Sequence, residues 1–213
     1  MLDLTDSDNS VNQYRMTPRE LTLIVAATNN MGIGRAGTLP WTGLKKEMSY
    51  FARVTKRASP GTTNTVIMGR KTWDSIPSRF RPLKDRTNVV ITRGDPNAIA
   101  EGEKIVANSL SQVVESAETQ ARSLPSRLFV IGGAQIYKAS LDIQEAKRIL
   151  LTRVLGDFEC DTFFPLMLEE GGKATGWERK SKIDLDRWTG ETVPEGIQEE
   201  NGTRYVFEMW ERI

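Results

Sequence analysis

An acid stands where an apolar residue is expected. Reading residues 44–51 as helical puts Leu44, Glu47, Met48 and Phe51 at i, i+3, i+4 and i+7, one face at the helical period. Lys45, Lys46, Ser49, Tyr50 and Arg53 fall on the wetter side, so solvent positions were open and the helix still turns a carboxylate inward. An unpaired buried charge is costly, and no Lys or Arg shares the face. Two readings follow: Glu47 anchors a ligand, or it is a surface acid paired with Arg53 on a stripe with a wet edge. The strand Leu23-Ile24-Val25-Ala26-Ala27 and the loop Asn30-Met31-Gly32-Ile33-Gly34, leading to Leu39-Pro40-Trp41, precede this helix.

Three strand ends suit phosphates. Thr65-Val66-Ile67-Met68 runs into Gly69-Arg70-Lys71-Thr72, bringing two cations and a hydroxyl to a helix start, where free N–H groups favour anions. Val89-Val90-Ile91 runs into Thr92-Arg93-Gly94. Phe129-Val130-Ile131 runs into Gly132-Gly133 before Ala134-Gln135-Ile136-Tyr137, and paired glycines let backbone approach a pyrophosphate or a ring. Each element alone is a weak signal, since a strand-end glycine is more often a turn. The GxGxxG fingerprint is absent: Gly32-Ile33-Gly34 lacks the third glycine and enters a loop. Ligands of open α/β sheets bind at strand carboxyl ends, so the set favours a nucleotide with several phosphates, and cations at two ends favour NADP over NAD.

The chain has no histidine. That removes Ser-His-Asp and Cys-His triads, His-ligated zinc and the usual neutral-pH proton shuttle. Acid–base work falls to a tuned carboxylate, a Lys, a Tyr or water, and a cofactor carrying its own chemistry becomes attractive. No metal site is expected. The single cysteine, Cys160, forms no internal disulfide, which suits a reducing compartment, and reads as a small buried hydrophobe.

The elements that must position these residues follow from the apolar pattern. With 213 residues and 38% hydrophobic content the chain can bury one substantial core, and no composition break argues for two domains. Residues 1–16 read as a flexible extension, with Met16 a possible alternative start, ahead of a domain over 17–213. Strands are predicted at 21–28, 64–68, 87–91, 104–106, 127–131 and 148–154. Helices are predicted at 43–55, from near Thr72, at 110–122 and at 134–141. Such alternation argues α/β, with a largely parallel sheet covered on both faces. Ser109 with Gln112 forms a capping box, and Leu124-Pro125 closes that helix. After a charged Gly- and Pro-containing stretch at 182–203, Tyr205 to Trp210 alternates like a final strand, and strands from about 176 onward pair antiparallel at one edge. A net charge of +1 supports neither nucleic acid nor membrane as a partner. No run spans a bilayer and the acidic first residues are not signal-like, so a cytoplasmic protein is expected.

From about Leu21 to Ile213 the chain resembles the dihydrofolate reductases, of the eukaryotic and fungal type. The resemblance is carried by Ile24-Val25-Ala26, Met31-Gly32-Ile33-Gly34, Leu39-Pro40-Trp41, Glu47 with Phe51, and Val66 through Trp73 with Ile76-Pro77. Arg81-Pro82-Leu83 with Arg86, Ile131-Gly132-Gly133 with Tyr137, Thr152-Arg153 and Asp161 through Pro165 extend it. It implies one domain with a central mixed sheet of about eight strands and a cleft shared by NADPH and 7,8-dihydrofolate. The implied catalytic set is Glu47, Trp41 and Thr152, with Glu47 holding the pterin 2-amino group and N3, and Thr152 reaching that amino group through water. Ile24, Val25, Ala26, Met48, Phe51 and Ile76 wall the rings, with Leu83, Ile131 and Tyr137. Arg86 takes the α-carboxylate of the glutamate tail, and Phe80 lies at the cleft mouth.

For the cofactor the resemblance implies that Arg70, Thr72, Thr92 and Arg93 hold phosphates and that Ala26, Ile33 and Gly133 flank the nicotinamide. Gly34, Gly37, Leu39, Gly69 and Lys71 belong to the same set, as do Ile131, Gly132, Ala134, Gln135, Ile136 and Tyr137. The implied reaction is hydride transfer to pterin C6 with a water-derived proton at N5, admitted by a mobile loop from Met31 to Trp41, serving one-carbon metabolism and thymidylate synthesis. Implied partners are dihydrofolate and antifolate inhibitors, for a monomer. Met48 stands where Phe is common, Phe80 where Asn is, and Arg70 where Lys is, which bears on inhibitor selectivity. Two alternatives differ in what they need. A riboflavin-pathway reductase has no use for the Glu47 and Arg86 pair, and a non-catalytic NADPH-binding module has no use for Glu47, Trp41 or the glycine pair.

Overall fold

The computed structural model describes residues 19–95, 104–120 and 126–213. The expected extension over 1–16 and the helix stop at Leu124-Pro125 lie outside these residues. Strands β1 (Leu21–Thr28), β3 (Thr65–Gly69), β4 (Thr87–Ile91), β5 (Ile105–Ala107), β6 (Leu128–Gly132) and β7 (Ala146–Leu155) form the parallel part of the main sheet, in the order β5-β4-β3-β6-β1-β7. β12 (Thr203–Arg212) joins β7 antiparallel, followed by β10 (Trp177–Arg179) and β9 (Lys173–Ala174), while β11 (Gln198–Glu200) pairs with β12. The expected mixed, mostly parallel sheet with an antiparallel edge is therefore present. Among the described residues it has ten strands rather than about eight, because the two- and three-residue strands β9 and β11 carry too little pattern to register in sequence.

Alternation along the strands sorts the core into two layers. Ile67, Val89, Val130 and Leu151 face one side, where Leu110, Val113 and Val114 of α3 (Leu110–Gln120) and Tyr137 of α4 (Ala134–Leu141) cover them. Val66, Val90, Phe129 and Leu150 face the other, under Tyr50 and Val54 of α1 (Lys45–Lys56), Trp73 of α2 (Arg70–Ser75) and Leu185 of α5 (Lys182–Thr189). β1 lies between parallel neighbours with all but Ala26 buried, as a central strand covered on both faces must be. The capping box holds: the Gln112 amide donates to Ser109 Oγ at 3.2 Å, and Gln112 Oε1 accepts from the Asn108 amide at 2.9 Å.

Three expectations need correction. On α1 the buried stripe is Glu47, Tyr50, Val54 and Thr55, whereas Met48 is 51% exposed. The wheel was rotated because Tyr50, assigned to the wet side, packs its ring 4.3 Å from that of Phe207 on β12. The charged stretch 182–203, for which no helix is predicted, holds α5 as well as β11. The signals were local: Ser181 caps α5 by accepting the Asp184 amide, and Gly190 ends it at φ 72°. Cys160 is half-buried rather than buried. Among the described residues no helix is long and apolar enough to cross a membrane.

Candidate active site

The first turn of α1 lies against the carboxyl half of β7. Glu47 and Thr152 are both buried, at 7% and 3% exposure, and the Thr152 hydroxyl donates to Glu47 Oε1 at 3.0 Å. Ala26 is the register partner of Thr152 on β1. Trp41 packs with Leu44, Val154 and Tyr205, with Ala26 against the same cluster, so the three residues expected to be catalytic converge on one corner. Burial raises the Glu47 carboxyl to about 7; the Thr152 hydrogen bond opposes this and the charge of Glu200 adds to it. Arg53, the alternative partner, forms its ion pair with Glu191 at 3.0 Å instead. Among the described residues Glu47 is thus a buried acid with one neutral donor and spare acceptor capacity.

Arg86 is half-buried across the same helix. Its Nη1 donates to Thr55 Oγ1 at 2.8 Å and its Nε to the Lys84 carbonyl at 3.0 Å, with Phe51 beneath the guanidinium at 6.0 Å. Asp85, its neighbour in sequence, turns away at φ 59° to pair with Lys56 at 2.9 Å. Among the described residues no carboxylate lies within ion-pair distance of Arg86. An oriented guanidinium in that state suits an incoming carboxylate.

The helix starts after β3 and β6 meet. A Cβ on Gly69 would sit 3.1 Å from Ile136 Cγ1, and one on Gly133 3.2 Å from Thr72 Oγ1. Gly132 holds φ 121°, a conformation side chains rarely adopt, and a Cβ there would also meet Thr72 and Tyr137. Gly69 and Gly133 are the N-caps of α2 and α4, and neither helix has a side-chain cap. Arg70 and Lys71 are exposed beside them, and buried Thr92 with exposed Arg93 ends the neighbouring strand β4. Backbone N–H groups, glycine space and cations therefore occur together, which fits a pyrophosphate-bearing group.

A family model, "Dihydrofolate reductase", matches residues 20–212. The chain is 44% identical to the Pneumocystis carinii dihydrofolate reductase over 201 residues, 91% of this chain and 97% of that one. It is 40% identical to the Cryptococcus neoformans enzyme, covering 89% and 93%. The Schistosoma mansoni dihydrofolate reductase structure superposes with a TM-score of 0.74 at 33% identity, over 92% of this chain and all of that one. The chain belongs to the dihydrofolate reductase family. It is an oxidoreductase of folate and one-carbon metabolism, and the fungal resemblance read from its sequence is borne out.

Within this dihydrofolate reductase fold the expected site residues separate by layer. Ile24, Phe51, Ile76, Leu83 and Ile131 share the α1 and α2 side of the sheet. Val25 points into the opposite layer, and the Tyr137 hydroxyl donates to the Ile24 carbonyl at 2.7 Å. Leu39, Met48 and Phe80 are exposed apolar side chains. Gly34, Gly37, Ala134 and Gln135 lie on the loop or at the start of α4, with Ile33 against the α3 and α4 layer. The loop from Met31 to Trp41 is anchored at both ends by buried side chains and by β2 (Gly32–Gly34) pairing with β8 (Thr162–Phe163). Asp161 accepts the Ala36 amide at 2.7 Å, and within the loop residues 35–39 are the exposed ones. Sequence reading missed Asp161 as a loop anchor and Glu200 as a neighbour of Glu47, since neither partner is near in sequence.

Proposed function

We propose that the chain reduces 7,8-dihydrofolate to 5,6,7,8-tetrahydrofolate with NADPH, acting as a cytoplasmic monomer on small molecules. The observation that carries the reading is Glu47: a buried carboxylate with no cationic partner among the described residues, held by Thr152 and raised to about 7. Ionised, it accepts the pterin 2-amino and N3 donors side by side, so substrate binding strengthens as pH rises through its ionisation. Thr152 orients that carboxylate and lies within reach of a water on the amino group. Arg86, backed by Thr55, receives the glutamate-tail carboxylate. Ile24, Ala26, Phe51, Ile76, Leu83 and Ile131 offer the apolar wall, and exposed Met48 and Phe80 are the surfaces a ring system or an antifolate would cover.

The cofactor is read from the glycine and cation cluster. Gly69 and Gly133 let the two helix starts pack closely where a Cβ would be tight against Ile136 and Thr72, Gly132 holds a φ that suits glycine, Thr72 supplies a hydroxyl between the two helix starts, and Arg70, Lys71, Thr92 and Arg93 supply charge and hydrogen bonds. NADPH, when bound there, supplies a hydride for pterin C6. The remaining work of the chain is to stack the two rings, exclude bulk water and let one water give a proton to N5 past the 35–39 loop. Mixing the protein with NADPH and dihydrofolate tests the reading. Absorbance at 340 nm should fall with both present and stay constant when either is omitted, and no loss with both present overturns it.

A further inference from the structure

We propose that Glu200 is a positioning residue for this reaction: reaching from β11 over the start of α1, it fixes the first turn of the helix and thereby the placement of Glu47. The inference rests on the functional reading of Glu47. α1 begins at an apolar N-cap, Leu44, with no side-chain cap of its own, although the first N–H groups of a helix have no intrahelical acceptor. The Glu200 carboxylate supplies the acceptors, taking the Lys46 amide at 3.0 and 2.9 Å and the Glu47 amide at 3.3 Å. The residue whose side chain meets Thr152 is thus held through its own main chain by a residue 153 positions away.

The hairpin that carries Glu200 is itself locked. Tyr205, 1% exposed, donates its hydroxyl to Glu200 Oε1 at 2.6 Å. Asn201 donates its side-chain amide to the Gly43 carbonyl at 2.7 Å, and Gly43 holds φ 80°. A Cβ on Gly43 would fall 2.5 Å from Asn201 Nδ2 and displace that amide, and the positive φ favours glycine there.

The groups that face Glu47 are Thr152 from β7, Glu200 from β11, Tyr205 from β12 and Tyr50 on its own helix. Partial burial pushes Glu200 up, but the Tyr205 hydroxyl and the Lys46 and Glu47 amides outweigh it and hold the carboxyl below its ordinary range. Two carboxylates at one helix start therefore have opposite environments, one charged and capping, the other poised. Glu200→Gln keeps an acceptor oxygen but removes the charge; Glu200→Ala removes both.

The test titrates the 13C-labelled Glu47 carboxyl by NMR in the full chain, assigned by its loss in Glu47→Gln, alongside amide exchange and steady-state kinetics. In Glu200→Gln the Glu47 midpoint should move below its native value near 7. In Glu200→Ala the Lys46 and Glu47 amides should exchange about tenfold faster and kcat/KM for dihydrofolate should fall about tenfold, with NADPH affinity unchanged. Should Glu200→Ala not fold, Tyr205→Phe, which removes the hydroxyl clamp, should give a smaller loss of the same kind. An unchanged Glu47 midpoint in Glu200→Gln with unchanged kcat/KM in the cap variants overturns the proposal, as does an equal loss of NADPH affinity. Normal turnover of Glu47→Gln would instead overturn the functional reading, leaving the NMR and exchange results to judge the cap.

Discussion

Thr152 and Glu47, 105 residues apart, meet through one buried hydrogen bond of 3.0 Å that joins β7 to the first turn of α1. Because the hydroxyl stabilises the charged carboxylate, it lowers an ionisation that burial has raised. Thr152→Val should therefore move the Glu47 ionisation above about 7. At neutral pH we expect dihydrofolate turnover to fall about tenfold, with part of the loss recovered as pH rises. A pH–rate profile of kcat/KM checks this, and a loss of the same size at every pH contradicts it.

Glu47→Gln keeps the shape, loses the charge and presents an amide donor to the pterin donors. Turnover should drop on the order of 10²–10⁴ near neutral pH while NADPH affinity stays within about twofold. Stability should move the other way. A carboxyl raised from 4.5 to about 7 in the folded state binds its proton more tightly there than in the unfolded chain. Its effect is therefore a loss of stability as pH rises from below 4.5 through about 7, on the order of 1–3 kcal/mol above that range. Thermal melts should show the native protein losing stability across this window and Glu47→Gln losing less. Coincident melting curves at pH 5 and pH 8 for both proteins count against the buried-acid argument.

Arg86→Leu should weaken dihydrofolate binding by roughly 10–100-fold, the equivalent of one charge-assisted contact. A 2,4-diaminopyrimidine without a glutamate tail should keep its affinity within a few-fold. Parallel titrations of the two ligands decide the matter, because equal losses would assign Arg86 to the packing of Thr55 and Phe51 rather than to a ligand carboxylate.

Arg93→Ala should raise KM for NADPH far more than KM for NADH, since the 2'-phosphate is the charge that distinguishes them and such a contact contributes roughly 1.5–3 kcal/mol. Equal increases for both cofactors would remove Arg93 from that role.

The residue after Thr152 behaves differently. Arg153, 1% exposed, points to the opposite face of β7 and forms a bidentate pair with buried Glu208 at 2.8 and 2.9 Å, with the Leu168 carbonyl and Trp210 Nε1 completing the network. Arg153→Leu leaves buried Glu208 with only the looser Arg179 guanidinium, at 3.7 Å, and Trp210 Nε1, and should cost about 3 kcal/mol of stability by denaturant unfolding. KM for dihydrofolate in the folded fraction should stay near native, because the pair lies across the sheet from Glu47. A stability change under about 1 kcal/mol would show the pair to be dispensable.

What the chain alone determined was local. Apolar alternation and helical period placed β1, β4 and α4 at their observed bounds and most other elements within a few residues, because side-chain direction along one element follows from its own repeat. Glu47, Arg86 and the Gly132-Gly133 pair stood out for the same reason: an acid in an apolar stripe, a cation after a turn and paired glycines after a strand are visible without neighbours. α5 was legible in principle from Ser181 and Gly190, but Leu185 and Thr189 are its only buried residues and leave a faint period.

Tertiary structure decided everything that depends on which elements touch. Insertion of β6 between β3 and β1 brings the Gly132-Gly133 turn to Thr72. Packing against Phe207 rotates α1 so that Tyr50 is buried and Met48 is not. The register of β7 against β1 and β12 sends Thr152 to Glu47 and Arg153 to Glu208, and the hairpin carrying Glu200 closes over a helix start that has no cap of its own. These partners lie from 55 residues apart, for Arg153 and Glu208, to 157, for Tyr50 and Phe207, and no periodicity in one segment can encode the distance to another. Strand order and register make Glu47 a poised carboxylate rather than an ordinary helix acid, by choosing a hydroxyl, a second carboxylate and an apolar wall as its surroundings.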